Sequence, residues 1–68
     1  MTPSLRAFQD AVTASEGQKQ SDLAGARSAS AIKAAEVAHW QRIVAAGDLH
    51  GISTPNARDA LAFHARGV

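Results

Sequence analysis

Between Leu23 and Val44 the sequence runs LAGARSASAIKAAEVAHWQRIV, a stretch with no proline and with two different stripes at helical spacing. At about 100° per residue, Ile32, Val37, Trp40, Ile43 and Val44 spread over one broad face, which Ala26 and Ala29 continue towards the N-terminus. Ala24, Ala31, Ala38 and Ala45 recur at intervals of seven along the other side, with Ala35 beside them. The first stripe is suited to burying volume and the second to letting another backbone come close. This predicts a long central helix from about Ser21 to Ala46, ended by Gly47 as a left-handed cap.

The other 46 residues are too few to build a separate core. A chain of 68 residues is one small helical domain, residues 1–68, and such a domain buries only about 60% of the surface its unfolded chain exposes. With no cysteine there is no disulfide and no thiolate metal site to stabilise it. The hydrophobic fraction of 46% includes sixteen alanines, which remove little area from water on burial, so the usable core is smaller than that figure suggests. Both facts favour self-association. The formal charge of +1 and the pI near 8.4, with lysines and arginines spaced singly, give no basic patch for nucleic acid. No apolar run approaches the roughly 20 residues that span a bilayer, and the N-terminus has no signal-peptide pattern, so a cytoplasmic location without membrane contact is expected.

Thr2-Pro3 is a helix start, with threonine at the N-cap and proline at the first helical position. Leu5, Phe8, Ala11 and Val12 follow at spacings of three and four, giving a first helix from about Pro3 to Ala14 that buries Leu5, Phe8 and Val12. Residues 13–22, TASEGQKQSD, either turn or carry the helix on. The capping-box pattern Thr13-Ala-Ser-Glu16 and the cost of Gly17 and Gly25, about 1 kcal/mol each in a helix interior, favour the turn. Asp48–Ile52 reads as a connection. Ser53-Thr54-Pro55 repeats the start signal, and Ala57, Ala60, Leu61 and His64 make a third helix to about Ala65, with Gly67 beyond it. The expected fold is all-α: a long central helix with two shorter flanking helices, as a helical hairpin or three-helix bundle, and oligomeric. Its core is Leu5, Phe8, Val12, Ile32, Val37, Ile43, Val44 and Leu61; its interface is Ala24, Ala31, Ala35, Ala38, Ala45 and Trp40.

Glu36 and His39 are three apart on the central helix and point the same way, a spacing that ligates metal in di-iron carboxylate bundles. Glu16 is the only other glutamate, so a site would need ligands from a second chain. The alternative is that Glu36 pairs with Lys33 or a partner's arginine at the edge of a seam, with His39 at its rim. His39, His50 and His64 come from separate elements and have no spacing that requires them to meet. No cofactor is expected.

Gln20-Ser21-Asp22-Leu23-Ala24, followed by Ser30 and Ile32, resembles the helix-turn-helix of repressors. The resemblance implies DNA binding, but Ser28 stands where that turn usually carries glycine, and Ala34 where the second helix carries a larger aliphatic. Only Arg27, Lys33 and Arg42 are basic nearby, few for phosphate contacts. An uninterrupted helix is the favoured reading. The leading expectation for function is a non-enzymatic helical protein–protein interaction module, a small adaptor, assembly factor or protein inhibitor. Its partners would be itself, as a homodimer or higher oligomer, and another protein. The alternatives are a small helix-turn-helix regulator and an oligomeric metal-binding bundle using Glu36 and His39.

Overall fold

The computed structural model describes residues 3–66. It is all-helical, with three helices: α1 (Pro3–Gly25), α2 (Ala29–His50) and α3 (Pro55–Ala65). The expected N-cap at Thr2 and stop at Gly67 lie outside the described residues.

The long central helix is not found as expected. At 23 and 22 residues, α1 and α2 are nearly equal, and the chain breaks at residues 26–28, inside the stretch expected to be continuous. Ser28 makes the break. Its extended backbone (φ −146, ψ 161) lets its hydroxyl accept a hydrogen bond from the Ala31 N–H at 3.1 Å, an N-cap that starts α2. Residues 13–22 do not turn but run helically through α1. The reason lies in the pattern of Phe8, Val12, Ser15, Lys19, Asp22 and Ala26, which are spaced alternately four and three and all at least half-buried. This is the seam of an antiparallel helical hairpin. Ser15, Lys19 and Asp22 are polar, so the apolar periodicity fades where the seam continues.

Gly47 does not end α2. The helix runs a further turn to His50, and Gly51 takes the left-handed conformation (φ 68, ψ 30). The Gly51 N–H reaches the Asp48 carbonyl at 3.4 Å, and the Ile52 N–H reaches the Gly47 carbonyl at 2.8 Å, the two bonds of a Schellman cap. Gly47 is instead buried beneath the α2–α3 connection. A Cβ there would stand 2.6 Å from Thr54 Cγ2 and 2.7 Å from the Ile52 carbonyl oxygen, so only glycine lets the chain pass this close. Pro55 opens α3 at the expected place, but Thr54 does not cap it through its side chain. Its methyl is turned onto Gly47, and its buried hydroxyl has no hydrogen-bond partner among the described residues.

α2 is the axis of the molecule, packing against both α1 and α3, which do not pack against each other. The core is correspondingly thin. Ala35, Ile43 and Ala57 are the buried hydrophobic residues among those described, and no side chain there is more than 98% buried. The chain measures 40 × 22 × 13 Å with a radius of gyration of 12.6 Å, against about 11 Å for a compact domain of this length. It exposes 4591 Å², where a compact monomer of its 7.1 kDa mass would expose about 4,100 Å². No helix among the described residues is long and apolar enough to cross a membrane.

Candidate functional site

The hairpin seam carries a buried polar cluster at mid-height. Ser15 of α1 and His39 of α2 are each at least 96% buried. Arg42, one turn beyond His39, donates from Nε to the Ser15 hydroxyl at 2.8 Å and from its terminal nitrogen to the Ser15 carbonyl at 3.4 Å. Arginine has no acceptor, so the hydroxyl keeps its own proton to donate. His39 Nδ1 lies 2.9 Å and the His39 carbonyl 3.4 Å from that hydroxyl. The His39 imidazole thus shares one hydroxyl with Arg42. Burial holds its pKa below the ordinary 6.5; Lys19 and Arg42 push the same way, while the Ser15 hydrogen bond and Glu36 oppose them. Trp40 sets its ring edge-on to His39 at 4.7 Å, and Lys19 Nζ lies 6.0 Å from the indole centre. The indole N–H of Trp40 is buried without a hydrogen-bond partner among the described residues.

A second polar node lies farther along the same seam. Glu36 reaches both flanking helices: one carboxylate oxygen stands 3.9 Å from Lys19 Nζ of α1, the other 3.6 Å from His64 Nε2 of α3. Glu36 therefore does not act with His39. The first points to Lys19 and His64 and the second to Ser15, so the metal-ligating arrangement expected of the pair is absent from this chain. Among the described residues, no three His, Cys, Asp or Glu side chains are grouped as a metal ion would need. Nor does Glu36 pair with Lys33, which has no ion-pair partner among the described residues.

Beyond the Glu36 node, the N-terminal half of α2 and the C-terminal end of α3 leave an open cleft of about 690 Å³. Ile32, Lys33 and Glu36 line it from α2 and Phe63 and His64 from α3, together with Ala29 and Ser30. Ile32 is 48% and Phe63 67% exposed, unusual for large apolar groups facing one cleft. Two exposed apolar side chains, Ile32 and Phe63, thus flank Lys33 and Glu36 in an open cleft, whereas the Ser15–His39 pair is buried in the seam.

The expected core is corrected at two positions: Leu5 and Ile32 are exposed. Ile43 is buried, and Phe8, Val12, Val37, Val44 and Leu61 are half-buried. The alanine heptad does not form one seam. Ala24 belongs to α1 and is exposed; Ala31 and Ala38 are half-buried, and Ala45 is exposed. Ala35 is buried within the chain, so it is not available to a partner, and Trp40 packs half-buried against His39. The helix-turn-helix resemblance placed its turn where the chain does break, at residues 26–28. Two helices that touch at Ser15 and His39, twelve or so residues from that turn, form a long antiparallel hairpin and not the steep crossing of that motif. Sequence reasoning missed Ser15 and Phe63. The four–three spacing from Phe8 to Ala26 marks Ser15, and Phe63 is a bulky group on the side of α3 away from Ala57, Leu61 and His64. No family model, curated protein or solved structure matches this chain.

Proposed function

We propose that this chain is a non-enzymatic helical interaction module, a small adaptor, assembly factor or protein inhibitor, and that it self-associates. The observation that carries this reading is the imbalance between core and surface. Among the described residues three hydrophobic residues are buried, two of them alanines, while Ile32 and Phe63, which face one cleft, stand 48% and 67% exposed. At about 25 cal/mol per Å² of apolar surface removed from water, covering such groups is the largest stabilising term still open to a chain with so little core. The near-neutral charge of +1 lets copies approach without mutual repulsion.

Light scattering coupled to size exclusion tests the reading on the intact chain. The expected mass is twice 7.1 kDa or a higher multiple. A monomer at every concentration would end it.

A further inference from the structure

We infer that the cleft between α2 and α3 is a homodimer interface in which two copies meet about a two-fold axis, each setting its Phe63 into the other's cleft and its Lys33 against the other's Glu36. The inference rests on the self-association reading above and adds the surface and its pairing.

Charge identifies the occupant. The cleft carries one unpaired cation, Lys33, and one carboxylate, Glu36, on the same helix three residues apart. Both of Glu36's own contacts, at 3.9 and 3.6 Å, are longer than a hydrogen bond, so its oxygens keep acceptor capacity for another donor. A strongly acidic partner would oppose Glu36, and a basic one would oppose Lys33. A second copy rotated by 180° satisfies both at once, because an isologous contact matches residue i to j and j to i. Ile32 and Phe63 supply the apolar centre between these two ion pairs, the arrangement in which an aromatic side chain contributes most to binding.

Three variants of the full chain test this by light scattering, with circular dichroism as the check on folding. Phe63→Glu removes an exposed group, so helicity should be kept while association weakens by at least about 30-fold. Lys33→Glu, which sets like charges against each other, should weaken it as well. Leu49→Glu replaces an even more exposed apolar group about 20 Å along α2 from the cleft and should leave association unchanged. If the wild type associates and Phe63→Glu or Lys33→Glu does so equally well, the cleft pairing is overturned and the self-association reading stands. A wild type that never associates overturns both.

Discussion

Against α1, the middle helix presents His39 and Arg42, and its register is set by hydrogen bonds of 2.8 and 2.9 Å onto one serine hydroxyl. Against the connection that leads into α3 it presents Gly47, a bare stretch of backbone onto which Thr54 and the Ile52 carbonyl close. Two seams on one helix thus gain specificity by different means, one by directional polar bonds and the other by the absence of a side chain. The difference has practical consequences. A contact built on an imidazole responds to protons, whereas a contact built on steric fit responds to volume. Neither buries much apolar area, so each depends on a few atoms more heavily than a large core would.

The steric seam is the easier to break. Gly47→Ala gains helix propensity of about 1 kcal/mol but forces a Cβ into backbone at 2.7 Å, and overpacking of this kind costs about 1–3 kcal/mol or more. The net effect should be a loss of up to about 2 kcal/mol, read as a drop in the thermal midpoint of up to about 10 °C. The same substitution at Gly17, where a Cβ meets nothing within 4 Å, should instead raise stability.

In the polar seam, Ser15→Ala removes the hydroxyl that accepts from Arg42 Nε and is hydrogen-bonded to His39. Leaving buried polar groups unpaired costs about 1–3 kcal/mol. The loss should be close to that of Gly47→Ala or slightly smaller in urea denaturation.

The pH response separates the seams most cleanly, with the smallest effect. His39 binds a proton less readily in the folded chain than in the unfolded one, whose imidazole has the ordinary value of 6.5. The unfolded state therefore holds more protons as the pH falls below about 6.5, and stability falls with it. Its contribution is complete above that pH and declines towards the lower folded value. Protonation would also place a positive charge beside Lys19 and Arg42, with Glu36 opposing them. The expected outcome is a midpoint that drops between pH 7.5 and 5.5 in the wild type and drops less in His39→Gln. Gly47→Ala should keep the wild-type dependence.

The contrast between the seams also explains what the sequence disclosed. Proline at positions 3 and 55 marked two helix starts, because its fixed φ and missing N–H fit there and almost nowhere else in a helix. The three-helix, strand-free architecture followed from these signals and the apolar spacing. The polar seam did not follow, since Ser15, Lys19 and Asp22 interrupt the hydrophobic pattern that betrays a packed face. Gly47 was expected to end α2, but Gly51, four residues on, does so, and Gly47 is held inside the helix by Thr54, which folds back from beyond the turn. Glu36 and His39 were correctly placed one helical turn apart. Which way each side chain turned depended on Lys19, His64 and Ser15, residues up to 28 positions away.

Thermal unfolding over a roughly hundred-fold range of protein concentration tests most directly the claim that a chain with this little core is completed by another copy of itself. Association that favours the folded state raises the midpoint with concentration. A steady rise is expected for the wild type and a flat response for Phe63→Glu; a wild-type midpoint independent of concentration would contradict self-association.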